Sequence, residues 1–346
     1  MGQMTNTNSM YNLNDKTILV TGGTGSFGKA FVEHILDNYK PKSLRIFSRD
    51  ELKQWEMSER LKQHAGFDRL RFFLGDIRDK ARLYRAFEGV DVVIHAAAMK
   101  QVPASEYNPF EAIKTNIIGS TNVIDAALEA EVDKVVALST DKASLPINLY
   151  GATKLCADKL FIHANNYTGP RRTRFSVVRY GNVIGSRGSV VPVFLEQAKQ
   201  AGVLTITHKD MTRFWMSVGE AVSFVLSSLF LMQGGELFIP KISSMKVVDL
   251  AKAISPKAKL KFIGIRPGEK LHESLISSDE AFSTYDLGDR YMLEPFNLSG
   301  WDDQYKGYPQ KIKVKNGFAY TSESNPDSLS ITQMQKTLKE LGYTLS

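Results

Sequence analysis

A doubly wound α/β fold, its parallel sheet covered by helices on both faces, is what this chain of 346 residues predicts. Three observations carry the prediction. Short, nearly unbroken apolar runs alternate with amphipathic helical stretches through the first half. The first run leads straight into a glycine-rich turn. A later one, Val135 to Leu138, stops abruptly at Ser139, Thr140, Asp141 and Lys142 just before a helical stretch. Strands apolar throughout their length need cover on both faces, and helical crossovers between parallel strands supply it.

Taken in order, Thr17 to Val20, Ser43 to Phe47, Leu70 to Phe73, Val90 to Ile94, Lys134 to Leu138 and Phe175 to Val178 read as strands. Helices are expected near Phe27 to Asp37, Glu51 to Gln63, Asp79 to Phe87, Pro109 to Glu129 and Leu149 to Asn165. The first strand runs into Thr21-Gly-Gly-Thr-Gly-Ser-Phe-Gly28. Glycines at 22, 25 and 28 allow a tight turn, close approach of backbone to a pyrophosphate, and close packing of the next helix. That helix aims its free N–H groups at the phosphates. Gly22, Thr24, Gly25, Ser26, Phe27 and Gly28 are therefore assigned to a dinucleotide, and the fold to the Rossmann type.

The second strand ends at Ser48-Arg49-Asp50, about 20 residues past the glycines, where such folds read the adenosine ribose. An acid there would favour NAD. Arg49, with Lys53 one helical turn on, favours a 2′-phosphate and hence NADP. Asp50 also reads as the cap of the following helix. Asp76 and Ile77 fall where they would flank the adenine, and Ala96, Ala97 and Ala98 offer small side chains where backbone passes the cofactor. Lys100 is either a phosphate ligand or a solvated cation, with the former preferred.

Tyr150-x-x-x-Lys154 puts a phenol and an ammonium on one helix face. A phenol, with a reference pKa of about 10, becomes a base near neutral pH only if a cation favours its phenolate. Polar groups at the carboxyl end of a buried strand sit where open parallel sheets bind ligands, which brings Asp141 and Lys142 to the same place. The bland reading of Asp141 is a turn or cap residue.

Composition narrows the classes. With 43% hydrophobic and 23% charged residues the chain can bury a large core. Its charge of +7 is scattered among acids, not gathered into an aromatic-studded stripe, which argues against nucleic acid. Cys156 is the only cysteine, so no intrachain disulfide can form and a reducing, cytoplasmic compartment fits. The longest apolar run, around Val222 to Met232, is too short to span a bilayer. The polar stretch Met1 to Asn14 reads as a lead-in without a secretory leader.

The second half reads as a smaller α/β C-terminal substrate-binding lobe. Residues 1–182 form the dinucleotide domain, with 214–242 returning to it through a helix (Ser217 to Met232) and a seventh strand (Glu236 to Pro240). Residues 183–213 and 243–346 form the lobe, with a helix at Ser244 to Ile254 and a strand at Leu260 to Ile265. Arg187-Gly-Ser-Val-Val191 is a basic turn suited to a diphosphate or sugar. Arg213 and Arg266 are candidates for nucleotide phosphates, or for structural ion pairs.

The glycine pattern, His95-Ala-Ala-Ala98, Asn116 and the Tyr150/Lys154 pair resemble the extended short-chain dehydrogenase/reductase superfamily. Ser48-Arg-Asp-Glu-Leu-Lys53, Ser139-Thr-Asp-Lys142, Pro146-Ile-Asn-Leu-Tyr-Gly-Ala-Thr-Lys154, Arg179-Tyr-Gly-Asn-Val183, Met211-Thr-Arg-Phe-Trp215 and Arg266-Pro-Gly-Glu-Lys-Leu-His-Glu273 narrow it. Together they resemble the inverting UDP-N-acetylglucosamine 4,6-dehydratases that begin pseudaminic acid synthesis. Lys142, where retaining sugar dehydratases carry a glutamate, is that group's mark.

The resemblance implies NADP as cofactor, UDP-N-acetylglucosamine as substrate and a homo-oligomer paired through the helices near 109–129 and 149–165. It implies contacts from Val183 to the cofactor, and from Lys100, Asn182, Arg187, Gly188, Ser189, Val190, Val191, Thr207, Arg213, Arg266, Glu269 and Tyr320 to the substrate. His272 is expected to pack or cap. Tyr150 would take the C4 hydroxyl proton; Lys142, if neutral, would remove the C5 proton, and Asp141, if protonated, would donate to the departing C6 hydroxyl. Lys142 as a permanent cation beside an enolate is the rival role. A UDP-sugar 4-epimerase would need Tyr150 but neither Asp141 nor Lys142. A non-catalytic NADP-sensing protein would need none of them.

Overall fold

The computed structural model describes residues 12–295, 308 and 310–345. Strands β1 (Thr17–Thr21), β2 (Ser43–Ser48), β3 (Leu70–Leu74), β4 (Val92–His95), β5 (Lys134–Thr140) and β6 (Arg174–Tyr180) pair in parallel in the order 3-2-1-4-5-6. The short strands β7 (Asn182–Val183), β8 (Val203–Ile206) and β9 (Thr212–Met216) follow outside this sheet. β10 (Leu237–Pro240) then returns to pair in parallel with β6. The order reverses between β1 and β4, and the crevice at that switch point is where such sheets bind ligands.

Alternation along β1 shows why both faces need cover. Ile18 and Val20 join one core cluster and Leu19 joins the other. The first cluster takes Phe31, Val32 and Ile35 from α1 (Ser26–Asn38); the second takes Leu83 and Phe87 from the later helix α3 (Lys80–Phe87). Each fully buried side chain of this size contributes roughly 1.5–3 kcal/mol. Between them, α2 (Glu51–Leu61) is capped by Asp50, whose carboxylate accepts from the Lys53 backbone N–H at 3.0 Å. The cap reading of Asp50 thus holds.

The helix expected over 109–129 is present and unbroken, but it contains a π-turn. After a short α4 (Val102–Tyr107) come α5 (Pro109–Ile113), a π-turn over Lys114–Ile118, and α6 (Gly119–Glu129). The wide turn is used: Asn116 Nδ2 donates to Met99 O and to Thr153 Oγ1, and Asn116 Oδ1 accepts from Met99 N. One amide thereby ties the loop after β4 to α7 (Leu149–His163).

The lobe has its own core. Val191 and Phe194 of α8 (Val190–Ala201), Leu204 and Ile206 of β8, and Leu250 of α10 (Val247–Ile254) pack with Met334 and Leu338 of the last helix, α11 (Ile331–Glu340). Before that helix group, α9 (Val218–Leu231) returns against α1 and opens with a capping box, Ser217 with Glu220. Where one helix was expected from Ser244, a strand β11 (Ser244–Lys246) pairs with β9 before α10 begins. The strand expected at 260–265 is β12 (Lys259–Phe262), pairing with β8.

Assignment of all of 243–346 to the lobe is corrected. After β13 (Ser274–Ile276), strands β14 (Thr284–Asp286), β15 (Arg290–Leu293) and β16 (Ile312–Lys313) extend the main sheet beyond β10 in antiparallel fashion, before β17 (Tyr320–Thr321) pairs with β13. Their apolar residues Met292 and Leu293 bury against the strands of the main core, which outweighs their place late in the chain.

Candidate active site

A cleft of about 990 Å³ opens at the switch point, near the upper end of the usual range for ligand sites. At one end stand Ser48, Arg49, Asp50, Lys53, Asp76 and Ile77; in the middle the glycine turn faces Ala96, Ala97 and Ala98; at the far end are Thr140, Lys142, Tyr150 and Lys154. Lys100, Asn182, Val183, Arg187, Gly188 and Ser189 complete it.

The turn is built for a dinucleotide. Gly22 has φ +66°, and a Cβ there would lie 2.9 Å from Ala97 backbone atoms; at Gly28 it would lie 2.5 Å from Gly23 Cα. No side chain caps α1 and none in its first turn is acidic, so its amide groups face the cleft free. At the adenosine end Arg49 lies 3.5 Å from Asp76 and Lys53 pairs with Asp50. Burial opposes the charge on Asp76, but hydrogen bonds from Arg78 outweigh it and hold its carboxyl below the usual range. Lys154, 3% exposed, forms no protein hydrogen bond or ion pair among the described residues, and burial lowers its pKa. Such an amine fits a ribose hydroxyl pair as its partner. These residues accommodate a nicotinamide dinucleotide.

The chemistry sits where β5 ends. A 3₁₀ turn over Asp141–Ala143 presents Lys142, and α7 starts soon after, capped by Asn148 through Gly151 N at 2.8 Å. Asn148 also donates to Gly268 O at 2.8 Å, joining the cap to the Arg266–Glu273 segment. Gly151 is pressed against the Lys142 carbonyl so closely that a Cβ would overlap it. Any larger residue would push Tyr150 away from the turn.

Lys142 Nζ stands 2.9 Å from Asp141 Oδ1 and 3.3 Å from Glu273 Oε1. Burial would lower its pKa, but the two carboxylates reverse that and raise it above the ordinary lysine value. At rest, then, Lys142 is an ammonium and not the neutral amine that its role as base requires. Tyr150 is pushed up to about 12, mainly by burial; Lys142 and a hydrogen bond with Thr140 pull the other way. The cation acting most on the phenol is thus Lys142, where the sequence pointed to Lys154. Asp141 is fully buried behind Lys142 and accepts from Thr140 Oγ1 at 2.9 Å; its Oδ2 has no hydrogen-bond partner among the described residues. An orphaned carboxylate oxygen is costly unless a ligand supplies its partner.

Several residues expected to meet the substrate are engaged elsewhere or lie off the cleft. The Arg213 guanidinium donates to the carbonyls of Thr212, Lys270 and Leu271 and lies 3.6 Å from both Glu269 and Glu273, so it braces this segment and is not open to a phosphate. Tyr320 packs on Phe214 and its hydroxyl bonds Ile242 at both backbone groups. Thr207 is turned to Met211 Sδ at 3.1 Å, and Val191 is in the lobe core. Val190, Arg266 and Glu269 are likewise absent from the cleft lining. Arg187 lines it beside the glycine turn, its N–H donating to Ser26 Oγ at 3.2 Å, which puts it by the cofactor's phosphates. His272 meets Thr212 Oγ1 at 2.8 Å, the packing role expected. Glu273, unassigned from sequence, emerges as Lys142's second carboxylate; its place at the end of the Arg266–Glu273 motif was the available signal.

Fold and cleft together define a dinucleotide-binding α/β protein of the extended short-chain dehydrogenase/reductase class, with tyrosine and lysine at the carboxyl end of its sheet. Residues 18–295 match the family described as polysaccharide biosynthesis protein, and the chain belongs to it. A UDP-N-acetylglucosamine 4,6-dehydratase (inverting) of Campylobacter jejuni subsp. jejuni serotype O:23/36 (strain 81-176) is 54% identical, over 90% of this chain and 94% of its own. A UDP-glucose 4-epimerase of Rickettsia canadensis (strain McKiel) is 41% identical over 95% and 97%. The X-ray structure of Pen from Bacillus thuringiensis superposes with a TM-score of 0.86 at 36% identity, covering 95% of this chain and 98% of that one.

Proposed function

We propose that this protein is an NADP-dependent UDP-N-acetylglucosamine 4,6-dehydratase that inverts C5, giving UDP-2-acetamido-2,6-dideoxy-L-arabino-hexos-4-ulose. The observation that carries the reading is the Asp141–Lys142 pair beside Tyr150, an acid and an amine that elimination of water needs and epimerisation does not. The 54% identity to an inverting dehydratase points the same way. By the same resemblance the product enters pseudaminic acid synthesis, and the enzyme works in the cytoplasm as a homo-oligomer.

A bound nicotinamide would supply the hydride acceptor for C4 and the hydride donor for C6, so that no net oxidation results. Tyr150 accepts the C4 hydroxyl proton at its phenolic oxygen as the phenolate, a form that burial disfavours and that Lys142 and Thr140 favour. The resulting ketone acidifies the C5 proton. Transfer of one proton along the 2.9 Å Lys142–Asp141 hydrogen bond turns ammonium and carboxylate into amine and acid. The amine takes the C5 proton, the ammonium so formed protonates the departing C6 hydroxyl, and the acid behind it returns its proton to Lys142; water leaves and the ion pair is restored. Inversion then requires a proton to reach C5 from the opposite face.

Incubation with UDP-N-acetylglucosamine and NADP, without reductant, should give a product lighter by one water in mass spectrometry. Lys142→Ala should lower that rate by about 10²–10⁴-fold. An isomer of unchanged mass would replace this reading with the 4-epimerase that the Rickettsia relative's name suggests.

A further inference from the structure

Glu273 is 2% exposed, and its Oε1 stands 3.3 Å from Lys142 Nζ, a second carboxylate besides Asp141. Its position is enforced. Its backbone N–H donates to Ser322 Oγ at 2.9 Å and its carbonyl accepts from Ser322 N at 2.8 Å, at the entry to β13. Arg213 Nε stands 3.6 Å from Oε1 and Lys270 Nζ 3.9 Å from Oε2, while Oε2 has no hydrogen-bond partner among the described residues. A carboxylate so deeply buried carries a large desolvation cost unless it is paired. Lys142 supplies part of that pairing and is the one partner that lines the cleft.

We propose, resting on the dehydratase reading, that Glu273 is a positioning residue of the elimination: it holds Lys142 in place and keeps the shared proton on the Asp141–Lys142 pair. The pair works fastest while it carries that one proton, which Lys142 and Asp141 exchange between them. Loss of the proton to solvent leaves an amine beside a carboxylate, and the ammonium then formed at C5 is held by that charge and gives its proton to the C6 hydroxyl less readily. A second negative charge 3.3 Å from Nζ opposes that loss. Other charged or titratable groups face Lys142 as well. Arg213 on β9, Lys100 after β4 and Lys270 beside Glu273 disfavour its charge, and Tyr150 on α7 draws on it. Asp141 and Glu273 together outweigh them, and with Glu273 neutralised the three cations face Asp141 alone.

The test is the pH profile of kcat for water loss in the NADP-loaded enzyme, wild type against Glu273→Gln. The alkaline limb of the variant should fall about one pH unit or more below that of wild type. This amounts to a loss of roughly 10-fold at a pH where wild type is still on its plateau. KM for UDP-N-acetylglucosamine should stay unchanged, and C4 oxidation, followed as cofactor reduction in a single turnover, should persist. Glu273→Asp keeps the charge but draws it back from Nζ, so its limb should move the same way by less; it is read alone if the glutamine variant does not fold. An alkaline limb unmoved in either folded variant, or equal loss of C4 oxidation and elimination, overturns the proposal. Absence of water loss by wild type at every pH overturns the dehydratase reading instead.

Discussion

At Gly151 a single hydrogen in place of a methyl decides where the phenol of Tyr150 stands, because the Lys142 carbonyl occupies the space a Cβ would need. Gly151→Ala should cost about 1–3 kcal/mol of stability by overpacking. It should also lower kcat more than it raises KM, since the closest clash is with Lys142 beside Tyr150; equal activity in both proteins would show that the turn tolerates displacement. At the other end of the cleft, Arg49 is the cation whose loss should separate the two cofactors. Arg49→Ala is expected to raise KM for NADP by roughly 10–100-fold, the worth of a charge-assisted hydrogen bond, and to leave KM for NAD nearly unchanged. Steady-state kinetics with both cofactors decides it. The sequence pointed to most of the cleft because glycines, Arg49 and Tyr150 act at fixed offsets from strand ends. It missed Glu273 and misplaced Arg213 because their partners lie far away in the chain, and only the packing of the 266–273 segment against the turn after β5 and against Asn148 reveals them.

Elements with strong apolar period were readable in order: β1 to β6 and the helices between them fall close to their expected places. The exceptions have local causes. The π-turn at Lys114–Ile118 keeps helical spacing on both sides, so periodicity alone could not expose it, and its register serves Asn116. β11 was taken into the helix after it because three residues carry too little pattern to separate strand from helix. The Ser217–Glu220 capping box, by contrast, is a visible start signal, and it anchors α9 where the chain re-enters the dinucleotide domain. Ser217→Ala should destabilise the protein by about 0.5–2 kcal/mol in urea unfolding. Because this helix is remote from Tyr150 in role, the midpoint should shift while kcat holds; a fall in kcat would instead tie α9 to the site.

For the whole molecule, the buried His95 links stability to acidity. Burial, assisted by Lys154, lowers its pKa to about 3, while its Nδ1 bonds Thr21 Oγ1 at 2.8 Å. The unfolded chain takes up a proton near pH 6.5 that the folded one refuses. Stability is therefore full above about pH 6.5 and is lost progressively as the pH falls toward 3. Between pH 7 and pH 4.5 this one group should remove about 2.5 kcal/mol from the unfolding free energy. His95→Asn should be less stable at pH 7 yet lose less on acidification, measured by denaturant titration at both pH values. Parallel losses in the two proteins would assign acid sensitivity to other groups.

The segment around Arg187 comes from beyond β7, yet its backbone rests on Ser26 at the opening of α1, and its neighbours Gly188 and Ser189 line the same cleft. On the dehydratase reading, a dinucleotide whose pyrophosphate lay between that backbone and the glycine turn would be held from two sides, so a redox-neutral cycle could pass sugar after sugar without exchanging it.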